Sequence, residues 1–493
     1  MSKTVLAQAS LTLYAYHLRT DISKGAEQLS DEADQIWEGL VELGKTLNIS
    51  LLQNLKQKLI CYNSHGEYEP TAENQLIFQR GSLLKPENKD FKFDLIRSIT
   101  GKNLKLNGEL GAFRLHDTYA IDLTLSCDDT ISINELKQLN PKELLPPQYI
   151  QASIGQTLFL YGKLAAPCED DEQLEKLADD YVAQLMVDGI QLELNSKGKL
   201  LNNLIFEYET LEIDSSKRCH LLIWFINQYT PTEKQFKQVF PHLLTLLCAR
   251  HKILSAYNDY QPYNNEAKNL YSQLEEYVKN FENIATNQSY KLEDRLKEFK
   301  KLLAILATKA IDYSKCLWYI ADYETTIATN IKNYESSYKK LRKLPHNNLS
   351  FLEEFIELTH NTYEAQLQIE RQYLEPDAKL LQQLIDTIRG MVAVDQAELE
   401  DKKAKHDREH EAKAQEREKK LELLIAGVGA GLAFSSVSAA VMPKPSETLP
   451  PGFKCSIGGF SFLIDVGFHL LGGLIFGRCI VLILEKIRSS SSN

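Results

Sequence analysis

The chain has 493 residues, of which 43% are hydrophobic and 25% are charged, and its mean hydropathy is -0.30. This composition excludes a collagen-like protein, a wholly disordered chain and a small disulfide scaffold, and the negative hydropathy excludes a polytopic membrane protein. The net charge of -11 argues against a general nucleic-acid-binding protein, because phosphate binding requires a basic surface. At roughly 150 residues per domain, the length predicts about three domains.

The cysteines and the N-terminus both predict a cytoplasmic location for the soluble part of the chain. No two of the eight cysteines are spaced as CxxC, and no Cys/His cluster has the spacing of zinc ligands. Several lie in apolar runs such as Cys219–Ile226, which is typical of reduced, buried thiols. The apolar run Thr4–Leu6 is too short for a signal peptide.

Residues 1–230 mix strand-like alternation with helical periodicity, which predicts a cytoplasmic mixed α/β domain, or two small ones. The strand-like stretches are Leu11–Leu18, Tyr119–Leu125, Thr157–Gly162, Leu201–Tyr208 and Leu221–Ile226. Helical periodicity appears in Leu29–Leu47 and Glu172–Val187. The predicted fold class is α+β, with the strand order left open.

From residue 231 the strand signals stop, and helices are predicted at about 231–259, 264–343 and 349–420. Thr230 is the expected N-cap of the first helix, with Pro231 in its first turn. We predict a helical bundle over 231–345 and a long stalk helix over 346–422. Heptad-like spacing in the stalk favours a coiled coil and a homo-oligomer. The apolar positions of that pattern are Phe355, Leu358, Thr362, Ala365, Ile369, Leu384, Ile388 and Met391.

Two apolar segments near the C-terminus predict a transmembrane hairpin at 423–484. Leu423–Met442 holds 20 residues without a charge, and at 1.5 Å per residue it reaches about 30 Å, the thickness of the bilayer hydrocarbon core. Phe460–Leu484 is a second segment of 25 residues. The connection at 443–459 is short and rich in Pro, Gly and Ser, so the two segments are predicted to be antiparallel, followed by a tail at 485–493.

Basic residues predict that both termini face the cytoplasm, in the cell inner (plasma) membrane. Residues 401–420 hold eight basic side chains and the tail adds Lys486 and Arg488, whereas the connection holds only Lys444 and Lys454. Basic side chains close to the spans are expected at the membrane interface, near anionic headgroups. These are Lys419, Lys420, Arg478 and Lys486.

Small and polar residues in the predicted spans leave several roles open. Each span carries two glycines four residues apart, Gly427 and Gly431 in the first and Gly473 and Gly477 in the second. Such pairs pack helices closely, either within the hairpin or between subunits of an oligomer. Ser435 and Ser438 lie near the glycine face, and Asp465 and His469 share a face of the second span. One interpretation is that these four side chains line a pore. The alternative for Asp465 is a position at the outer membrane interface.

No motif predicts a catalytic residue, a metal site or a cofactor. The HxxEH pattern at His406–His410 lies in a charged helix without a third ligand, so we interpret it as solvated. His116 and Asp117 are interpreted as a turn with a structural carboxylate rather than an acid/base pair. P-loop and GxSxG motifs are absent from the sequence. An enzyme tethered to the membrane is kept as a third class of function.

The order of these parts resembles the layout of CorA-type divalent-cation channels, which implies ion transport. That family carries Gly-Met-Asn just after its first span, where this chain has Val441–Pro445, so no functional residue is carried over. Three segments are similar to those of uncharacterised cyanobacterial two-span coiled-coil membrane proteins, a likeness that implies no activity. These are Trp37–Gly44, His116–Leu125 and Thr387–Gln396.

The sequence therefore predicts a membrane-anchored oligomeric sensor or scaffold, in which a stalk couples a cytoplasmic domain to the hairpin. The alternative is a CorA-like ion channel or transporter, or a membrane-permeabilising effector gated by the cytoplasmic domain. The expected partners are the lipid bilayer, further copies of the chain and an unidentified cytoplasmic ligand or protein, but not nucleic acid.

Overall fold

The structure is a computed structural model, and it divides the chain into two compact units. It describes residues 5–20, 28–70, 81–99, 102–141, 147–168, 170–185, 191–210, 218–287 and 289–403, and scattered positions between 421 and 483. The sheet unit comprises residues 1–258 and 327–363, and the helical unit comprises residues 259–326 and 364–493. Each unit has its own hydrophobic core.

The bounds of the elements show mixed α/β structure first and long helices afterwards. The strands are β1 (Val5–Leu18), β2 (Gly81–Ser82), β3 (Lys92–Ile99), β4 (Lys102–Leu115), β5 (Thr118–Cys127), β6 (Ile131–Ser132), β7 (Gly155–Leu164), β8 (Glu193–Leu200), β9 (Asn203–Glu209) and β10 (His220–Ile226). The helices are α1 (Gln35–Leu47), α2 (Ser50–Gln53), α3 (Leu55–Lys58), α4 (Pro147–Ile150), α5 (Asp171–Leu185), α6 (Glu233–Asp259), α7 (Gln261–Thr286), α8 (Leu292–Arg342), α9 (Ser350–Leu358) and α10 (Ala365–Lys403). Short 3₁₀ segments lie at Pro86–Asn88 and Ile133–Leu139, and a π-helical segment at Thr359–Glu364 separates α9 from α10.

One sheet with the strand order β2-β4-β5-β1-β7-β10-β9-β8 forms the sheet unit, with β3 paired to β4 and β6 paired to β1. Neighbouring strands are antiparallel except β7 and β10, which are parallel. A parallel pair requires a crossover, and α5, β8 and β9 supply it. In the strand order given above, this parallel pair lies in the interior of the sheet.

Helices cover both faces of this sheet, so the sheet unit has three layers. Strand β10 is buried along its whole length, as expected for a central strand covered on both faces. On one face, α1 and α5 contribute Trp37, Leu40 and Tyr181 to the core. On the other face, α6 and α9 contribute Leu244 and Phe351.

The helical unit is held together by apolar side chains from α7, α8 and α10. Leu270, Leu306 and Ile388 represent the three helices in its core. The hydroxyl of Tyr313 donates to the backbone oxygen of Leu374 at 2.9 Å. Tyr313 is therefore a buried tyrosine whose hydroxyl has a hydrogen-bond partner.

The structure confirms the α+β class, and each predicted strand and helix of the first 230 residues overlaps an observed one, but several details are corrected. Strands β3, β4 and β8 were not predicted. The predicted helix at 264–343 is wrong, because α7 ends at Thr286 and α8 begins at Leu292. Thr230 is not the cap of α6, since Thr232 and Gln235 form reciprocal hydrogen bonds at its start. The predicted domain boundary at 230 also differs from the compact units, because α6 packs on the sheet.

The described part of the predicted stalk packs within its own unit. Its heptad positions Leu384 and Ile388 are buried in the core of the helical unit. The π-helical segment at Thr359–Glu364 interrupts the predicted stalk helix. Ile425, near the start of the first predicted span, lines one cavity together with Ile385 and Arg389. Residues 404–420 of the predicted stalk lie outside the described residues.

Most residues of the two predicted spans lie outside the described part of the chain. Among the residues that are described, no helix combines the length and the apolar character needed to cross a membrane.

Candidate functional site: a buried hydrogen-bond network

The sheet unit buries a group of polar and charged side chains between the sheet and α6. Thr157 on β7 pairs in register with His220 on β10, and His220 pairs with Glu209 on β9. Since side chains alternate between faces along a strand, all three point to the same face as Glu207, two residues before Glu209. Helix α6 crosses this face and adds Arg250 and His251. We call six of these side chains the buried network: Thr157, His220, His251, Glu207, Glu209 and Arg250.

The hydroxyl of Thr157 is the centre of the buried network. Its Oγ1 lies 2.8 Å from Nδ1 of His220 and 2.8 Å from Nε2 of His251. The second ring nitrogen of His220, Nε2, lies 3.0 Å from Oε1 of Glu207. These distances are all those of hydrogen bonds, so four side chains form one continuous chain.

The chemistry of the four groups fixes the direction of every hydrogen bond. Glu207 as a carboxylate only accepts, so Nε2 of His220 carries a proton and donates to it. Nδ1 of a neutral His220 is then an acceptor and receives the hydroxyl proton of Thr157. The Thr157 oxygen in turn accepts from a protonated Nε2 of His251. The donors therefore run from His251 through Thr157 and His220 to Glu207.

Glu207, the carboxylate at the end of this chain of hydrogen bonds, is stabilised as an anion by its neighbours. Burial disfavours the Glu207 carboxylate, but the hydrogen bond from His220 and the charge of Arg250 outweigh burial and lower its pKa to about 2. Ser196 donates to Glu207 at 2.6 Å and Asn195 at 3.0 Å. Glu207 is therefore a carboxylate across the whole physiological pH range.

Arg250 joins this carboxylate to a second one. Its guanidinium contacts both oxygens of Glu209, at 2.7 and 3.3 Å, and lies 3.5 Å from Glu207. It also lies 5.0 Å from the ring centre of Phe355, a cation–π distance. Burial disfavours the charge on Arg250, but Glu209 and Glu207 outweigh burial and raise its pKa. Arg218, 4.0 Å from Glu209, adds the second cation that balances the two carboxylates.

Both histidines of the network are neutral. Burial lowers the pKa of His220, and the nearby charge of Arg250 lowers it further, against the effect of Glu207. Burial also lowers the pKa of His251 well below its ordinary value, and the positive charges of Arg250 and Arg218 act in the same direction. The positive charge that the carboxylates require is thus supplied by arginine and not by histidine.

Gly155 makes room for the His251 ring. It has a φ of +140°, a conformation that favours glycine, and a Cβ at this position would lie 2.7 Å from Nδ1 of His251. Tyr334 closes the network on the side of α8. Its hydroxyl is buried and has no hydrogen-bond partner among the described residues, and burial raises its pKa well above the ordinary value.

A hydroxyl, an imidazole and a carboxylate in series are the groups of a hydrolase triad, but their burial excludes that chemistry in this conformation. Thr157, His220 and His251 are at most 2% exposed, so no substrate atom can reach the hydroxyl. No cluster of three or more His, Cys, Asp or Glu side chains able to bind a metal occurs in the described ranges. The arrangement can fix the packing of α6 on the sheet and can respond to protonation.

Replacing Thr157 with valine should destabilise the sheet unit by about 2–6 kcal/mol. The variant keeps the side-chain shape but leaves an acceptor on His220 and a donor on His251 unpaired, and each unpaired buried group costs about 1–3 kcal/mol. Thr157→Ser keeps the hydroxyl and should cost about 1 kcal/mol, the loss of one buried methyl group. Urea unfolding of both variants measures the difference. Equal losses would show that the hydroxyl has no role.

The residues that the sequence singled out lie elsewhere, and most are outside the described residues. Those outside are Gly427, Gly431, Gly473, Gly477, Ser435, Ser438, Asp465, His469, Lys419, Lys420 and Lys486. Arg478 is described, and it is helical and exposed. His116 and Asp117 form the β4–β5 turn, in agreement with their structural interpretation, and Asp117 makes a partly exposed ion pair with Lys252.

Comparisons with protein families, with curated proteins and with solved structures found no match for this chain. The resemblances to CorA-type channels and to cyanobacterial membrane proteins stay predictions from the sequence.

Proposed function

We propose that this chain is a membrane-anchored, self-associating sensor or scaffold of the cell inner (plasma) membrane. The hairpin at 423–484 holds it in the bilayer, and the sheet unit acts in the cytoplasm on a ligand or protein partner. The anchor is supported by two apolar segments of bilayer length whose flanks carry ten basic residues against two in the connection.

The observation that carries the sensor role is the continuity of α8. This helix has 51 residues without interruption, about 76 Å of helix. It contributes Leu302 and Leu306 to the core of the helical unit and Tyr334 and Tyr338 to the core of the sheet unit. Tyr334 lies close enough to the buried network for Glu207 and Arg250 to influence its pKa. A change in the network therefore acts on a helix whose other end belongs to the unit that also contains the predicted hairpin.

The anchor is tested by membrane extraction of the full chain. Wild-type protein should stay in the membrane at high salt and at alkaline pH. Leu432→Arg with Val437→Arg should release it, because each arginine at the centre of a span costs about 3 kcal/mol of insertion. Leu358→Arg with Ile311→Arg is the matched control, since both positions are exposed outside the predicted spans. Release of the wild-type chain by salt alone would contradict the anchor.

The second candidate is an ion channel or transporter, or an effector that permeabilises the membrane. It is favoured by the polar side chains Ser435, Ser438, Asp465 and His469 within the predicted spans. Ion flux into liposomes that contain the purified chain separates the two functions. Flux that disappears in Asp465→Asn supports conduction, and its absence in the wild type supports the anchor alone.

A further inference from the structure

Helix α10 exposes large apolar side chains along one face of the helical unit. They are Ile369, Tyr373, Leu380, Met391 and Val394, and their exposed fractions are 52%, 76%, 44%, 36% and 67%. Large apolar side chains that are exposed singly need no explanation, but several in one patch mark an interaction surface. We call these five residues the α10 stripe.

The five positions form one line on the helix. At 100° per residue they fall within an arc of about 60°, centred about 100° from the face that carries Leu374, Leu381 and Ile388 into the core. Tyr373, Leu380 and Val394 are separated by multiples of seven residues, with Thr387 at the remaining position. A seven-residue repeat is the spacing at which helices pack against each other as a coiled coil.

The C-terminal residues of the chain lie on the other flank of α10. Leu421, Ile425 and Gly429 line a cavity with Gln382 and Asp386. Those two α10 residues lie about 100–140° from the buried face in the direction opposite to the stripe. The described part of the C-terminal segment therefore leaves the α10 stripe uncovered, and α10 has three distinct faces.

We infer that the α10 stripe is the surface through which two or more copies of this chain associate. The inference rests on the proposed function, because the hairpin gives every copy the same orientation in the membrane. The inferred arrangement is a parallel pair of α10 helices, in which equivalent heptad positions face each other. A heptad face is self-complementary, which favours a second copy over an unrelated partner.

The size of the stripe sets how strong the association is. Ile369 to Val394 extends over about 38 Å of helix. Five side chains of this kind bury on the order of 500 Å² per copy, less than the roughly 800 Å² per partner of a standard stable interface. The stripe therefore needs the membrane to hold copies close together.

Disulfide cross-linking of the full chain in membranes tests this surface. Val394→Cys should give dimers on mild oxidation, because equivalent positions at the centre of a parallel helix pair lie within disulfide reach. Glu375→Cys is the matched control, since its side chain is half exposed on the flank away from the stripe. We expect at least a fivefold higher dimer yield at 394 than at 375, both measured above the yield of the parent chain.

A second pair of variants measures the stripe without cysteine. Tyr373→Glu with Leu380→Glu should reduce the subunit number in the membrane, whereas Ile305→Glu with Ile311→Glu, exposed to a similar degree on α8, should not. Equal dimer yields at 394 and 375, a 394 cross-link to a different protein alone, or an unchanged subunit number would overturn the inference. A chain that stays in the membrane as a monomer refutes this surface only, whereas a chain released by salt refutes the proposed function.

Discussion

Replacing Arg250 with methionine should lower the free energy of unfolding of the sheet unit by about 3–5 kcal/mol. The guanidinium is buried and lies against both Glu207 and Glu209, with its side chain 4% exposed. Methionine fills much of the same volume but provides no charge, so two buried carboxylates would lose their main counter-ion. Removing one partner of a buried ion pair is far more damaging than never having had the pair, because the remaining charge cannot be solvated.

Fluorescence-detected urea unfolding measures this effect in one unit at a time. Trp37 and Trp224 are fully buried in the sheet unit, and a Trp318→Phe background removes the signal of the helical unit. Arg342→Met is the matched control, because Arg342 makes an exposed ion pair with Glu353 at 3.4 Å. Exposed pairs contribute less than about 1 kcal/mol. A loss at Arg250 as small as the loss at Arg342 would show that the two carboxylates find other partners.

The strands that carry the buried network could be predicted from the sequence, but the network could not. Thr157, Glu207 and His220 come together only through the pairing of β7 with β10 and of β10 with β9. Pairing between strands 63 residues apart leaves no periodic signal in a single sequence. A weaker signal was present, since Glu207 follows the apolar run Leu204–Phe206 and His220 is the one polar residue of β10. Buried charged residues of this kind are rare unless they are paired.

The missed strands share a physical cause. Strands β3, β4 and β8 each carry several polar or charged residues, and β8 is an edge strand whose side chains alternate between exposed and more buried positions. Edge strands tolerate polar residues because one side of the strand has no neighbour. Their pairing depends on the adjacent strand and not on their own composition.

The sequence shows the heptad pattern of the predicted stalk, but it does not show which surface each apolar position packs against. Leu384 and Ile388 pack inside their own unit, whereas Met391 belongs to the exposed α10 stripe. A repeat read from one chain shows which residues share a face of the helix. It does not show whether that face meets the same chain or another copy, and α10 has one face of each kind.

Acid should destabilise the sheet unit through its buried histidines. Burial lowers the pKa of His17, His220 and His251 in the folded protein. The unfolded chain therefore takes up protons near pH 6.5 that the folded sheet unit does not. The stability of this unit is complete above pH 6.5 and falls as the pH decreases. Each histidine that stays neutral in the folded state contributes a slope of up to about 1.4 kcal/mol per pH unit.

The helical unit should respond in the opposite direction. Burial raises the pKa of Asp322 to about 6, and one oxygen of this carboxylate has no hydrogen-bond partner among the described residues. The folded helical unit then holds a proton between about pH 4 and pH 6 that the unfolded chain has lost. This group makes the helical unit more stable as the pH falls through 6, so the sheet unit should unfold first in acid.

Urea unfolding between pH 7.5 and 5.0 measures the contribution of the histidines to the stability of the sheet unit. Glu207 does not contribute to the pH dependence in this range, because its pKa is lowered to about 2 and it stays ionised throughout. His251→Gln should reduce the pH slope of the sheet unit by up to about 1.4 kcal/mol per pH unit, since an amide can donate to Thr157 but does not titrate. His65→Gln, at an exposed position, is the matched control. A wild-type sheet unit that is equally stable at pH 7.5 and pH 5.0 would mean that the folded protein binds these protons as readily as the unfolded chain. The buried network would then open in acid without loss of the fold, and α8 would be the element to examine for movement.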